Sequence, residues 1–429
     1  MTETHRPGLE RPPGLTITRQ HVPPRPAHDA ADGEDCSTDG ILFVGTGVSS
    51  ALPHLEHVLS PNASCPTCLD AANNPSSRNR RNNVSLLIMH RGKNILIDVG
   101  KTFRDAAIRV LRPNAIYKID ALLLTHCHAD AVMGIDDVRD LQRYERPIGP
   151  DGKKRYLPVE KLPTYLSQKT LDSLSKQFHY IIKASQATEP LERKVTVLDF
   201  HLLKDDPSAA PDLSTFEVKG TGLVVTALPV WHGKPYVCLG FTFAFDSDER
   251  VVYLSDVSEV PHDVRDFILS LGPIKILVID AIHWEKQHFS HITLQEALQY
   301  VLLFQPEEAY FVGMMCDIEH DDATEKLNQW LDDERSNNSE LNVKKVALAY
   351  DGLKIPLRCP PLNNPSSTTT AAAAQRAPSP VPVDALKRVG QPSALQTPHR
   401  PICQSPGETP ENTPLPPVPL GGGKEPPDR

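Results

Sequence analysis

The segment LLLTHCHAD, residues 122–130, constrains the fold of this chain more than any other segment. It is an apolar run that ends abruptly in His126 and His128, followed by Asp130. Alternate residues of an extended chain point to the same side, so both imidazoles can face one ion. If a helix begins at the following turn, Asp130 lies at its N-terminus, where a carboxylate is stabilised. The segment therefore predicts a buried strand that ends at a site for Zn, Fe or Mn.

Two later apolar runs also end in residues that can bind a metal. His232 closes LVVTALPVWH, residues 223–232, and Asp256 closes VVYLSD, residues 251–256. Open sheets bind ligands at the carboxyl ends of their strands, so we expect both residues to lie beside His126. Asp98 ends the run ILID in the same way, and we interpret it either as a further ligand or as a residue that supports the ligands or holds a loop.

Short apolar runs of this kind recur between residues 41 and 314. Segments with helical periodicity lie between them, for example TFRDAAIRVL (102–111), VMGIDDVRDLQ (132–142) and TLQEALQYVLLF (293–304). Several runs are apolar throughout, which is typical of strands that are covered on both faces. The pattern predicts an α/β fold in which sheets are flanked by helices, and it fits neither an all-α nor an all-β protein.

The chain has 429 residues and 41 prolines, and the prolines are concentrated at its two ends. Segments of this composition bury too little apolar surface to offset the entropy of ordering. We therefore predict disordered segments at residues 1–38 and 360–429 around a folded domain at residues 39–359. The proline-rich pieces of the C-terminal tail could bind SH3 or WW domains, and the alternative is a solvated tail.

A chain truncated to residues 39–359 is expected to unfold at the same temperature as the full chain, because the removed segments contribute few core-forming residues. Thermal unfolding of the two proteins measures this. A midpoint that is much lower for the truncated chain would show that the terminal segments dock on the domain.

The formal net charge of −9 argues against general affinity for nucleic acid, which usually requires a basic surface. No apolar run approaches the roughly 18 residues of a membrane span. The N-terminal sequence lacks the apolar segment of a signal peptide, so we expect a cytoplasmic protein, with the nucleus as the alternative. In these compartments the eight cysteines are more often metal ligands or free thiols than disulfides.

Cys65 and Cys68 form a C-x-x-C motif in a loop rich in Ser, Pro and Asn. Such a motif is either a zinc clip or a redox pair. A redox pair opens a helix in a thioredoxin-like unit, which the sequence does not show here, so zinc is favoured.

Three arginines follow in SRNRRNN, residues 77–83. The guanidinium groups of Arg80 and Arg81 suit phosphate oxygens. The alternative is a solvated basic turn, or one that pairs with acidic clusters.

Seven segments, taken in order over roughly residues 40–358, resemble the PhnP-like phosphodiesterases of the metallo-β-lactamase superfamily, in a form associated with eukaryotic members. The segments are GTGVSSALP (45–53), SCPTC (64–68), SRNRRNNVSLLI (77–88), THCHADAVMGIDDVRDLQ (125–142), HFSHITLQEAL (288–298), GMMCDIEH (313–320) and AYDGLKIPL (349–357). The resemblance implies an αββα sandwich, in which two sheets carry helices on their outer faces and bind metal at one edge.

The resemblance also implies the roles of the site residues. His126, His128 and His232 would hold one ion, Zn or Mn, which activates water. Asp256 would bridge to a second ion, and Asp130 would bind that ion.

Two positions depart from the family pattern. Bacterial relatives carry histidines that bind the second ion where this chain has Ala131 and Gly313. We expect either that one ion suffices or that another side chain, His291 or His320, substitutes. His291 also matches the family position of a residue that assists the leaving group.

For the cysteine loop, the resemblance implies a structural zinc held by Cys65, Cys68 and Cys316. Ala63 replaces the first cysteine of the family loop. The fourth ligand therefore stays open among His54, His57 and Cys36.

The leading hypothesis is a metal-dependent hydrolase that acts on a small-molecule or nucleotide-like phosphodiester, with Asp130 and His291 as catalytic residues and Arg80 or Arg81 holding phosphate. One alternative is an RNA 3′-end processing nuclease or another ester hydrolase of the superfamily. An alternative of another class is a metal-binding scaffold that recruits partners through its proline-rich tail.

Overall fold

The computed structural model describes residues 39–208, 212–246 and 249–358. The predicted disordered segments, the proline-rich tail, Cys36 and the two outer domain boundaries lie outside these residues. No helix in the described part of the chain combines the length and the hydropathy that a membrane crossing requires.

The first sheet contains seven strands. From one edge to the other they are β16 (Lys354–Pro356), β1 (Gly40–Gly45), β2 (Ser85–His90), β3 (Lys93–Ile97), β4 (Ala121–Leu123), β7 (Leu162–Ser167) and β8 (Leu198–Leu203). Neighbours from β16 to β3 are antiparallel, whereas those from β3 to β8 are parallel. The carboxyl ends of β3, β4 and β7 therefore meet at one edge of the sheet.

The second sheet also contains seven strands. In order they are β15 (Lys345–Leu348), β14 (Glu308–Val312), β13 (Ile276–Asp280), β12 (Arg250–Leu254), β11 (Val237–Ala244), β10 (Val224–Trp231) and β9 (Thr215–Glu217). Strands β12 to β15 are parallel, and β10 runs in the same direction because two antiparallel pairings separate it from β12. A small hairpin, β5 (Tyr144–Glu145) and β6 (Leu157–Pro158), stands apart from both sheets.

Nine α-helices lie in the described part of the chain. They are α1 (Leu55–Leu59), α2 (Pro66–Asn73), α3 (Phe103–Ala106), α4 (Ala129–Val132), α5 (Gln168–Gln177), α6 (His179–Gln186), α7 (His262–Ser270), α8 (Leu294–Phe304) and α9 (His320–Asn337). A π-helical turn, Ala107–Leu111, continues α3, and a 3-10 helix spans Asp137–Leu141.

Three apolar layers confirm the predicted αββα sandwich. Phe43 and Leu86 of the first sheet pack against Phe241 and Val278 of the second sheet in the central layer. One outer layer joins the first sheet to α3, α5 and α6. The other outer layer joins the second sheet to α7, α8 and α9. Burial of apolar surface in these layers is the main favourable contribution to folding.

The predicted helix at residues 132–142 is not continuous. It is divided into α4 and the 3-10 helix. Gly134 lies between them, and a side chain there would meet the backbone of Gly100 and the Phe103 side chain. This close packing interrupts the helix and brings α4 against the end of β3.

Candidate metal centre

A hydrogen-bonded chain fixes the orientation of His126 just beyond β4. Asp98 follows β3 and accepts hydrogen bonds from the backbone N–H of Thr125, at 2.9 Å, and from its hydroxyl, at 2.7 Å. The Thr125 oxygen lies 2.8 Å from Nδ1 of His126 and, having donated to Asp98, accepts the proton on that nitrogen. Nε2 of His126 is buried without a hydrogen-bond partner and is left free to bind an ion. Asp98 therefore holds the loop that carries the ligands, as one of its two interpretations predicted.

Three imidazoles converge at this edge of the sandwich. Ring nitrogens of His126, His128 and His232 lie within 4.8 Å of one another. Nδ1 of His232 donates to the carbonyl oxygen of Ser290 at 2.8 Å, which leaves Nε2 for a ligand. Burial lowers the pKa of His126 to about 3 and that of His232 to about 4, so both rings are neutral, as metal binding requires.

Two carboxylates complete the centre. Asp256, two residues after β12, clusters with His126 and Cys238 and also with His232 and His291. Oδ1 of Asp130 lies 3.9 Å from Nε2 of His126. Burial and the nearby Asp256 raise the pKa of Asp130 to about 6, because two carboxylates here repel each other. A bound cation relieves this repulsion. The free Nε2 of His126 and this mixed nitrogen and oxygen donor set fit Zn or Mn.

His291 is placed by Asp280, a residue that the sequence analysis did not single out. Nδ1 of His291 lies 2.6 Å from Oδ2 of Asp280, which is fully buried at the end of β13. Burial favours the neutral imidazole, but the Asp280 carboxylate outweighs it and raises the pKa of His291 to about 9. Asp280 closes the apolar run IKILVID just as Asp256 closes its own run, so the signal was present in the sequence.

The two positions that lack family ligands have different surroundings. Ala131 is buried and lines the cavity of the metal centre. Gly313 also lines it, but with φ of +76°, and a side chain there would collide with Oδ1 of Asp280. Two histidines were expected to replace the missing ligands. His291 lies in the cluster with His232 and Asp256, whereas the ring of His320 packs against Tyr350, with ring centroids 5.7 Å apart.

The cysteine motif, which the structure places at the start of α2 and not in a loop, forms a second cluster. His57, Cys65, Cys68 and Cys316 offer ligand atoms within 4.8 Å of one another. Nδ1 of His57 lies 3.5 Å from the sulfurs of both Cys68 and Cys316. The hydrogen bond with Cys316 contributes most to lowering the pKa of Cys68 to about 5, which favours a thiolate. Of the three residues considered as fourth ligand, the structure brings His57 to the site. Nε2 of His54 lies instead 3.2 Å from the hydroxyl oxygen of Ser50.

The prediction that Arg81 contacts substrate phosphate was wrong. Its side chain is fully buried and donates to the carbonyl oxygens of Met315, at 3.0 Å, and Ile318, at 2.8 Å. It therefore fixes the loop that carries Cys316. Arg80 is partly exposed and lies 3.5 Å from Asp105, and its role in holding phosphate stays a prediction.

Replacing Arg81 by methionine is expected to lower the free energy of unfolding by about 2 to 4 kcal/mol, because two buried carbonyl groups lose their donors. Urea unfolding measures the loss, and Arg80→Met is the matched control with little expected effect. Normal stability of Arg81→Met together with a raised KM would instead return Arg81 to the substrate site.

Tyr236 and Lys169 form a wall of the centre that the sequence analysis missed. The Tyr236 ring is stacked on His128, with centroids 4.6 Å apart, and lies 6.1 Å from His126 and 5.8 Å from His232. The ammonium nitrogen of Lys169 lies 3.6 Å from the Tyr236 centroid. Neither residue stands in a recognisable motif, so only the folded chain shows their proximity.

The chain is similar to known proteins over part of its length. The family described as Beta-lactamase superfamily domain matches residues 93–314, just over half of the chain. An octanoyltransferase of Porphyromonas gingivalis (strain ATCC BAA-308 / W83) is 26% identical over 259 residues, which are 60% of this chain and 42% of that protein. The chain thus spans less than half of this relative.

The chain is also similar to solved structures. A diphosphatase from the PhnP family has a TM-score of 0.52 and 25% identity over 74% of this chain and 98% of its own. The short form of human tRNase Z has a TM-score of 0.45 and 16% identity, over 73% of this chain and 98% of its own. The match over residues 93–314 and the two-sheet fold show that the chain belongs to the metallo-β-lactamase superfamily.

Proposed function

We propose that the protein is a metal-dependent phosphodiesterase. The observation that carries the proposal is the convergence of neutral imidazoles and carboxylates with His291 at one edge of the sandwich, His126, His128, His232, Asp130 and Asp256 being the candidate ligands. A divalent ion held there, Zn or Mn, would lower the pKa of a bound water and would neutralise phosphate charge. The similarity to a diphosphatase of the PhnP family supports a phosphate ester as substrate.

His291 suits the role of general acid toward the leaving oxygen. The Asp280 carboxylate fixes the ring through Nδ1, at 2.6 Å, so that Nε2 is the nitrogen left to face the site. The same carboxylate favours the protonated ring, which therefore has a proton to donate at neutral pH. His291 also clusters with His232 and Asp256, which supports a position beside the substrate phosphate.

Asp130 suits the complementary role at the attacking water. It lies at the N-terminal end of α4, and its carboxylate faces Nε2 of His126 at 3.9 Å. With a pKa raised to about 6 by burial and Asp256, it is ionised near neutral pH and is basic enough to orient water and accept its proton.

The test of the proposal is hydrolysis of bis(p-nitrophenyl) phosphate by protein that has been loaded with Zn or with Mn. We expect turnover that depends on the ion and is lost on chelation. Full metal loading without hydrolysis of this or any other phosphodiester would favour the scaffold alternative.

Replacing His291 by glutamine is expected to lower kcat by a factor of about 10² to 10⁴, the usual contribution of a general acid. The loss should be largest for diesters with an alkoxide leaving group, because p-nitrophenolate departs with little protonation. His288→Gln is the matched control, since His288 is the exposed neighbour whose ring lies 5.1 Å from that of His291. Equal losses for both leaving groups would contradict a role as acid.

A further inference from the structure

Phe289 is an exposed aromatic side chain in the segment that joins β13 to α8, two residues before His291. Its exposed fraction is 78%, which is the largest among the bulky apolar side chains in the described ranges of the chain. A ring that stays in water contributes no burial to folding, whereas an aromatic ring at the mouth of a site can stack on a ligand.

The segment that carries the ring, residues 283–291, is anchored to a metal-binding residue. Nδ1 of His232 donates to the carbonyl oxygen of Ser290, directly after the phenylalanine, at 2.8 Å. The backbone N–H of Ile282 donates to the carbonyl oxygen of Ile292 at 3.0 Å and closes the base of the segment. Because the backbone is fixed in this way, the ring loses little conformational freedom when it binds a ligand.

Gly233, the residue after His232, makes room for the Phe289 ring. A Cβ atom at position 233 would lie 2.5 Å from Cε1 and 2.9 Å from Cδ1 of the ring, which is closer than van der Waals contact. The φ of +76° at this position also favours glycine. One edge of the ring therefore covers the backbone next to a metal-binding residue, and most of the ring surface is open to solvent.

The ring lies on the side of the centre that His291 occupies. The centroids of the His291 and His232 rings are 4.8 Å apart, and Phe289 covers the residue that follows His232. A group attached to the leaving oxygen that His291 protonates would therefore extend toward the Phe289 ring.

We propose that Phe289 is a specificity-determining residue that stacks on a planar aromatic ring in the leaving group of the substrate. This inference rests on the proposed phosphodiesterase function and adds the class of leaving group. Phe289 selects which ester bond is presented to His291, and proton transfer to the leaving oxygen stays with His291.

The test uses ethyl phenethyl phosphate, a diester that can lose either of its two alcohols, and the analogue in which a cyclohexyl ring replaces the phenyl ring. We expect wild-type protein loaded with Zn or Mn to release phenethyl alcohol in preference to ethanol. Phe289→Leu should lower this product ratio about tenfold, because the stacking contact is lost. The ratio for the cyclohexyl analogue should change less, since leucine keeps an apolar surface, and Phe289→Tyr should restore the ratio for the phenyl diester.

Tyr117→Leu is the matched control. Tyr117 is also an exposed aromatic residue, but it precedes β4, whereas the histidines of the metal centre follow this strand. A further arm with the ethyl ester of adenosine monophosphate identifies the kind of ring. A larger effect of Phe289→Leu on the adenosine diester than on the phenethyl diester would indicate a nucleobase, and a smaller effect would indicate an aryl group.

A binding measurement tests Phe289 even if no diester is hydrolysed. Phe289→Trp places a fluorescent indole at the same position, and phenethyl phosphonate should change its emission more than cyclohexylethyl phosphonate does. Such a difference without hydrolysis of any diester would count against the proposed function and support the stacking role. Equal product ratios in wild type and Phe289→Leu, or equal emission changes with both phosphonates where no diester is hydrolysed, would overturn the role of Phe289.

Discussion

Replacing Cys68 by serine is expected to remove one zinc ion per chain and most of the stability of the domain. Cys68 is fully buried, and its sulfur lies among His57, Cys65 and Cys316, of which Cys316 is distant in the sequence. A structural zinc contributes on the order of 10 kcal/mol to folding, which is comparable to the whole stability of a typical domain. Elemental analysis and urea unfolding of the variant measure the two effects together.

The control for this variant is Cys127→Ser, which removes a thiol outside the cysteine cluster. A second pair of variants tests the fourth ligand. His57→Ala should weaken zinc binding, whereas His54→Ala should not, because only the His57 ring reaches the sulfurs. Unchanged zinc content and unchanged unfolding in Cys68→Ser would show that these thiols are free.

The sequence predicted those parts of the fold that depend on local patterns. Apolar runs identified most central strands, and polar residues at strand ends identified His126, His232 and Asp256, because parallel strands bring their carboxyl ends to one edge. The sequence analysis missed the long helix α9. Its apolar stripe, at Ala323, Leu327 and Leu331, is narrow, and most of its other residues are charged or polar, so the helical periodicity is weak.

The remaining errors concern contacts between distant segments. Arg80 and Arg81 are adjacent and equally basic, and only tertiary packing turns one to solvent and buries the other beneath the loop at residues 315–318. The choice of His57 over His54 likewise depends on how α1 is placed against α2. Local periodicity carries no information about such contacts, whereas the resemblance to a family directed attention to Cys316.

Asp280 leaves no room for a side chain at position 313. Its carboxylate holds His291, and its free oxygen lies where the side chain of residue 313 would begin. The positive φ of Gly313 adds a conformational cost for any other residue. The glycine and the Asp280–His291 pair are therefore compatible with each other, and a histidine ligand at position 313 is not compatible with this arrangement.

Replacing His126 by alanine is expected to abolish hydrolysis and to release the tightly held active-site ion. Its Nε2 is a buried nitrogen without a hydrogen-bond partner and is therefore free to bind the ion. With only His128 and His232 as imidazole ligands, the ion would be bound largely by water. Wild-type protein should contain about one active-site ion in addition to the zinc of the cysteine cluster, because Ala131 and Gly313 supply no ligand to a second ion. Elemental analysis of wild type and His126→Ala, beside the hydrolysis rate, measures this.

Two further variants show whether the second position is weak or filled in another way. Asp130→Ala should lower turnover about tenfold to a hundredfold if Asp130 only orients water, as changes around a metal often do. Ala131→His should increase affinity for a second Mn or Zn ion, since Ala131 lines the cavity and its neighbour Asp130 is already placed there. Two equally tight active-site ions in wild type would contradict the single-ion centre. In that case His291 would be the candidate ligand of the second ion, and its Nε2 would carry no proton to donate to the leaving group.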